Sequence, residues 1–243
     1  MKIKKTLSVF MAFMMLLCAV PFVAGAEGEE LTENGYTYTV ENGEATITGS
    51  DENISGDIVI PSSIGGYPVT SIGVGALAYC NKITNMTMPN SLVSIGANSF
   101  EGCTSLTSIV IPNSVTNIDY SAFLNCSAIN MLSVSKENPV YHSDGNCIIK
   151  TKEKELVLGC KNSVIPSDGS VTSIGNCAFS DCAGLTSVTI PDGITSIGGD
   201  AFSDCSDLRS VTIPDRVDSI GFYAFQNCSN LIYVTLPKEL TQI

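Results

Sequence analysis

Apolar and polar positions return in a fixed order along most of the chain. The stretch 185–190 begins with Leu185 and ends in an alternation of apolar and polar residues, which predicts a short strand with one buried face. Proline cannot donate a backbone hydrogen bond to a sheet, so the predicted strand ends where the proline follows. Prolines after an aliphatic residue or methionine are Pro61, Pro89, Pro112, Pro166, Pro191, Pro214 and Pro237, and several of the intervals between them are 23 residues.

A period of this length predicts a solenoid, because one unit cannot bury its own apolar face whereas stacked units can. Residues 201–205 are too short for a full helix, and we expect a single helical turn there. Gly198 is expected to mark a backbone turn, and Asp119 fills that slot once because Asp tolerates a left-handed conformation. The repeated slots hold an aliphatic residue (Ile72, Ile95, Ile118, Ile174, Ile197, Ile220), a leucine or aromatic residue (Leu77, Phe100, Phe123, Phe179, Phe202, Phe225) and a cysteine (Cys80, Cys103, Cys126, Cys182, Cys205, Cys228).

The N-terminal part of the chain has the pattern of a hairpin. Two alternating runs flank Asn42-Gly43, a strong signal for a type I′ turn. Pairing Val40 with Ala45 and Tyr38 with Ile47 places all four side chains on one face. We expect residues 27–56 to form a hairpin that caps the first repeat, because a bare solenoid end would expose apolar surface.

The repeated motif L-x-x-[VI]-x-[IL]-P-x-x-[VIL]-x-x-I-G-x-x-A-F-x-x-C resembles the BspA-type leucine-rich repeats of bacterial surface and secreted proteins. Six nearly complete copies cover almost all of residues 57–243. The resemblance implies a β-rich leucine-rich repeat solenoid, a right-handed coil of short parallel strands with single helical turns. It also implies attachment to host or microbial surface proteins.

Two segments depart from the period. Residues 135–165 separate the repeats at 57–134 from those at 166–243, and we interpret them as an irregular unit that carries a hairpin with a charged turn near Glu153 and Lys154. The last unit stops midway at Ile243 without the A-F-x-x-C part. We expect either a longer protein or a partner that covers this end, including end-to-end self-association, because an open strand edge promotes pairing.

Residues 1–26 have the features of a signal peptide: lysines at 2, 4 and 5, an apolar stretch from Leu7 to Val20, and small residues at 24–26. The expected location is therefore secreted or at the cell surface, without a membrane span in the mature chain. Removing three lysines and no acid would change the net charge from −12 to −15. Such a charge disfavours nucleic acid and anionic lipid as partners.

The cysteines of the repeat slot are interpreted as small buried core residues, since C-x-x-C pairs with zinc spacing are absent from the sequence. Cys147 and Cys160 differ, because a hairpin centred near residues 153 and 154 would bring them face to face. They could form a disulfide in an exported protein, or remain thiols in a reducing habitat.

Catalytic motifs are absent from the sequence, and the single histidine, His142, is interpreted as a surface loop residue. We therefore predict no enzyme activity, cofactor or metal. Acids at or near repeat spacing are interpreted as a solvated face, with a weak calcium-binding edge as the alternative; they are Asp181, Asp204, Asp215 and Asp218.

The remaining candidate is the surface made by outward strand positions of successive repeats, the strand face. Two functions follow: an adhesin-like module that binds a protein or glycoconjugate at a cell surface, or a structural spacer in a larger surface protein. Met131, Arg209 and Tyr233 are the residues most suited to anchor a partner. The full strand face comprises Asn85, Thr87, Ser108, Val110, Met131, Ser133, Ser187, Thr189, Arg209, Ser210, Thr212, Tyr233 and Thr235.

Overall fold

The computed structural model describes residues 28–238 and 240, so the expected signal peptide lies outside the described residues. The described chain consists of short strands joined by turns and contains no helix. The strands are β1 (Leu31–Glu33), β2 (Tyr36–Glu41), β3 (Glu44–Ser50), β4 (Gly56–Val59), β5 (Ser63–Ile64), β6 (Tyr67–Ile72), β7 (Ile83–Thr87), β8 (Ser94–Ile95), β9 (Ser108–Ile111), β10 (Asn117–Ile118), β11 (Met131–Val134), β12 (Tyr141–Asp144), β13 (Cys147–Lys150), β14 (Glu155–Leu158), β15 (Ser173–Ile174), β16 (Ser187–Thr189), β17 (Ser196–Ile197), β18 (Ser210–Thr212), β19 (Ser219–Ile220) and β20 (Tyr233–Thr235).

The repeats stack as the coils of a β-solenoid, which confirms the predicted fold class. Equivalent residues of successive coils pair in parallel register, so Ser187, Ser210 and Tyr233 lie side by side on β16, β18 and β20. A second ladder is made by the strands with the sequence Ser-Ile before the glycine slot. It joins β14, β15, β17 and β19 in the C-terminal half, and β3, β6, β8 and β10 in the N-terminal half.

The repeated slots fill the core. Phe100 stacks on Phe123 with ring centroids 5.3 Å apart, and Phe202 lies between Phe179 and Phe225 at 5.0 and 5.2 Å. The aliphatic slot is buried as well, from Ile72 in the N-terminal half to Ile197 in the C-terminal half. Stacking of identical slots thus produces a column of like residues.

The segments before the cysteine slot are successive tight turns, and the predicted helical turn is not confirmed. In the coil at 96–103, the N–H groups of Ser99, Glu101 and Cys103 each donate to the carbonyl three residues earlier. The intervening N–H groups of Phe100 and Gly102 donate to the next coil instead. Left-handed residues in this segment, such as Asn98 (φ 53°) and Gly102 (φ 71°), turn alternate peptides outward and prevent helical bonding.

The N-terminal hairpin has the predicted register. Tyr38 pairs with Ile47 and Val40 with Ala45, and these four side chains are buried in the core of the N-terminal half. Asn42 at the turn has a φ of 53°, as a type I′ turn requires. The hairpin continues the solenoid sheet, because β3 pairs in parallel with β6; its role as a cap stays a prediction.

The irregular unit interrupts the strand ladders, and its side chains replace the missing strand bonds. The Tyr141 hydroxyl accepts a hydrogen bond from the Ile118 N–H at 3.1 Å, at the edge of β10. Asn146 Oδ1 accepts from the Leu132 N–H at 2.7 Å, and Ser143 Oγ accepts from the Val134 N–H at 3.1 Å, both on β11. The unit separates the core into two clusters, one on each side.

From Cys103 onward, each cysteine of the repeat slot donates to a carbonyl oxygen of the preceding turn of the chain. The Cys205 thiol donates to the Phe179 carbonyl oxygen at 3.0 Å, and the Cys126 thiol donates to the Phe100 carbonyl oxygen at 3.1 Å. Burial raises the pKa of the Cys205 thiol to about 12, so the sulfur keeps its proton at neutral pH. The cysteine slot is therefore filled by a small apolar side chain whose S–H group also donates a hydrogen bond.

Replacing Cys205 by alanine should lower the free energy of unfolding by about 1–2 kcal/mol, because a fully buried side chain and its hydrogen bond are lost. Urea unfolding measures the change. Cys228→Ala is the matched control: it removes the same slot residue where the side chain is partly exposed, and its cost should be smaller. Stoichiometric zinc or iron in the purified protein would contradict a packing role.

Candidate binding surfaces

The predicted strand face is present, but it is divided into separate ladders. Outward positions are in register within β4–β7, within β9–β11 and within β16–β18–β20. Met131 lies beside Ser108 on the second ladder, and Tyr233 lies beside Ser210 on the third. The main division falls after β11, where the irregular unit interrupts the ladder, whereas β7 and β9 still lie side by side, since Ser108 Oγ donates to Asn85 Oδ1. The role of the strand face in binding stays a prediction.

Part of the strand face is engaged in internal hydrogen bonds. Asn85 Nδ2 donates to Asp57 Oδ1 at 2.8 Å, and Asn85 Oδ1 accepts from the hydroxyls of Thr107 and Ser108 at 2.9 and 3.0 Å. The bond from Asn85 Nδ2, together with one from the Thr84 hydroxyl, lowers the pKa of Asp57. Asp57 was not found from the sequence, since β4 precedes the first complete repeat.

The three proposed anchor residues are all exposed but lie in two places. Met131 is 53% exposed on β11, whereas Tyr233 is 73% exposed on β20. Arg209 precedes β18, and its carbonyl oxygen accepts from the Ile232 and Tyr233 N–H groups, so Arg209 and Tyr233 belong to neighbouring coils. The structure thus places Arg209 and Tyr233 together and Met131 apart from them.

A second surface, which the sequence reasoning missed, lies on the Ser-Ile strand ladder. A groove of about 850 Å³ follows the coils of β14, β15, β17 and β19 and ends at Phe222. We name it the Ser-Gly groove after the residues of its floor: Ser173, Gly175, Ser196, Gly198, Gly199, Ser219 and Gly221. The sequence feature that could have revealed this groove is the tripeptide S-I-G, which recurs at the same place in successive repeats.

Glycine occupies this slot because adjacent coils approach each other closely there, and not because the backbone makes a left-handed turn. Gly198 and Gly221 do not have positive φ, which corrects the expectation for this slot. A Cβ atom on Gly198 would lie 2.6 Å from the Asn176 backbone nitrogen, and one on Gly221 would lie 2.3 Å from the Gly199 nitrogen. Adjacent coils therefore come close enough to form a shallow floor without side chains.

A smaller hollow of about 290 Å³ adjoins the Ser-Gly groove and shares Glu155, Gly175 and Asn176 with it. Tyr120 borders the hollow, and Asp119 and Lys150 provide charges. The two cavities together extend from Tyr120 to Phe222.

Two of the acids at repeat spacing, Asp181 and Asp204, occupy turns. Asp181 and Asp204 have φ of 57° and 58°, the left-handed conformation that other coils give to Gly102 and Asn125. Asp181 Oδ2 accepts from the Asn125 N–H at 3.2 Å, and burial raises the pKa of Asp181. Among residues 28–238 and 240, no group of His, Cys, Asp and Glu side chains has the arrangement of a metal site.

Cys147 and Cys160 are buried free thiols in the structure, without a disulfide between them. The Cys160 sulfur accepts from Asn146 Nδ2 at 3.1 Å, whereas the Cys147 thiol points to the Gly145 carbonyl oxygen at 3.6 Å. His142 lies on β12, and its Nδ1 is 2.8 Å from the hydroxyl of Thr151, which directly follows β13. A search of the described part of the chain for a helix able to cross a membrane gave none.

Comparison with known proteins identifies the repeat. The family described as BspA type leucine rich repeat region matches residues 55–168 and 158–243, with 6 copies. No curated protein matches the chain.

Several solved structures of bacterial proteins are similar to this chain. A leucine-rich repeat protein from Bacteroides ovatus is 28% identical with a TM-score of 0.58; the match covers 86% of this chain and 54% of that one, so this chain spans about half of it. The T. pallidum leucine-rich repeat protein is 26% identical with a TM-score of 0.49, covering 88% and 86% of the two chains. One from Eubacterium ventriosum is 20% identical with a TM-score of 0.51, covering 87% and 73%.

Replacing Gly198 by alanine should lower the free energy of unfolding by about 1–3 kcal/mol, because the new methyl group overlaps the backbone of the adjacent coil. Thermal or urea unfolding measures it. Gly193→Ala is the control, since the nearest atom to its Cβ would be the Val171 carbonyl oxygen at 3.9 Å. Equal stability of both variants would contradict the close-approach explanation.

Proposed function

The chain belongs to the BspA-type leucine-rich repeat family, and we propose that it is an exported, non-enzymatic module that binds surface proteins of a host or of other microbes. Leucine-rich repeat solenoids of this kind present side chains on a fixed scaffold. The family membership supports protein binding, and the leader-like residues 1–26 support export to the cell surface or medium.

The observation that carries the proposal is the pair formed by Arg209 and Tyr233 on neighbouring coils. Both side chains are exposed, and both types are frequent among residues that dominate binding energy at interfaces. They stand beside the short hydroxyl side chains of Ser210, Thr212 and Thr235, which leave the ring and the guanidinium accessible. A partner that presents a carboxylate next to an apolar patch would suit this pair.

Combined replacement of Met131, Arg209 and Tyr233 by alanine should weaken partner capture about tenfold or more, since loss of an anchor residue costs about 1–2 kcal/mol or more. Biolayer interferometry against purified extracellular-matrix proteins and whole bacterial cells measures capture, and thermal unfolding should show little change in Tm. Separate Arg209→Ala and Tyr233→Ala variants should account for more of the loss than Met131→Ala. Val74→Ala, an exposed apolar residue on another edge, is the control. Unchanged capture by the triple variant would exclude the strand face.

A further inference from the structure

Two exposed aromatic rings border the cavities on the Ser-Ile strand side. Tyr120 and Phe222 occupy the same slot, the residue directly after the glycine slot, and they are 62% and 79% exposed. Val74 in this slot is also exposed although further coils follow it, so the slot points outward along the solenoid. Between the two rings the slot holds the smaller residues Asn176 and Gly199. The rings therefore stand at opposite ends of a low floor.

At β15 and β17 the floor offers side chains and not a free strand edge. β15 and β17 have strand partners on both sides, and the Gly198 and Gly221 N–H groups donate to Ile174 and Ile197 at 2.8 Å. An extended peptide cannot join this part of the sheet as an added strand. Recognition must use hydroxyl, carboxamide and carboxylate groups together with ring faces.

The polar groups of the floor are those that bind hydroxyl groups. Asn176 lines the groove, and its Oδ1 accepts from the Gly199 N–H at 2.8 Å, so its Nδ2 group is the part of the carboxamide that can donate to a ligand. Ser173, Ser196 and Ser219 each provide a hydroxyl that can donate and accept, and Glu155 provides acceptors.

The charge of the site selects against anionic ligands. Among the described residues that line the Ser-Gly groove, Glu155 alone is ionisable, and the adjoining hollow adds Asp119 and Lys150. The whole chain carries a net charge of −12, which repels polyanions. A neutral ligand rich in hydroxyl groups, with apolar C–H faces for the two rings, matches this chemistry.

We propose that the Ser-Gly groove and its adjoining hollow bind a neutral oligosaccharide. Sugar rings lie on the glycine floor, their hydroxyl groups bond to the serines, Asn176 and Glu155, and their C–H faces contact Tyr120 and Phe222. This site lies on a different strand ladder from Arg209 and Tyr233, and it does not depend on the proposed protein binding.

The test uses the complete chain and hexasaccharides of glucose, N-acetylglucosamine, xylose and mannose, with binding measured by isothermal titration calorimetry. At least one should bind, and Tyr120→Ala and Phe222→Ala should each weaken that binding about tenfold, the loss expected for one aromatic contact. Because the protein has no tryptophan, tyrosine fluorescence provides a second readout.

Tyr233→Ala is the matched control, an exposed aromatic residue on the strand face whose replacement should leave sugar binding within about twofold. Circular dichroism melting checks that the variants fold. The proposal is overturned if none of the hexasaccharides binds, if binding is equal in all variants, or if a sulfated hexasaccharide or an extended peptide library binds the groove instead. Loss of protein capture in Arg209→Ala with sugar binding intact would separate this site from the strand face.

Discussion

The backbone register between coils is the constraint on which the structure depends. Each coil must present its N–H and C=O groups to the next one at equivalent positions, through both strands and turns. In the strands the Gly221 N–H donates to Ile197 of the preceding coil, whereas in the turns the Phe202 N–H donates to Ala224 of the following coil. Since buried peptide groups are costly when unpaired, the period of 23 residues is retained wherever the turns stack directly.

This register explains residues that have no role in the core. Left-handed residues such as Asp204 and Asn227 turn peptide groups towards the next coil, and Gly198 allows that coil to approach. The irregular unit shows the same requirement where the period fails. Tyr141 and Asn146 supply side-chain acceptors for N–H groups that would otherwise have had a strand partner. The interruption also divides the strand face and the hydrophobic core.

The backbone N–H and C=O groups of the solenoid bond to neighbouring coils. Recognition of a partner is therefore left to the outward side chains. Most outward positions carry small hydroxyl residues, so the few large ones define where a partner can be held. The exposed large residues are Arg209 and Tyr233 on the strand face and Tyr120 and Phe222 beside the Ser-Gly groove, and our proposals assign the binding of partners to them. The scaffold thus offers two separate surfaces with different chemistry, one charged and aromatic, the other low and rich in hydroxyls.

The sequence by itself determined the period, the buried slots and the hairpin register, because these depend on alternation and on turn residues such as Asn42 that act locally. The sequence also predicted that Arg209 and Tyr233 are exposed, because both residues occupy outward positions of the repeat. Only the tertiary structure decided that residues 201–205 form tight turns and not a helical turn, because the choice depends on hydrogen bonds to the next coil. The Ser-Gly groove and the division of the strand face were likewise decided there: both depend on which coils become neighbours across the irregular unit, and residues far apart in sequence determine that packing.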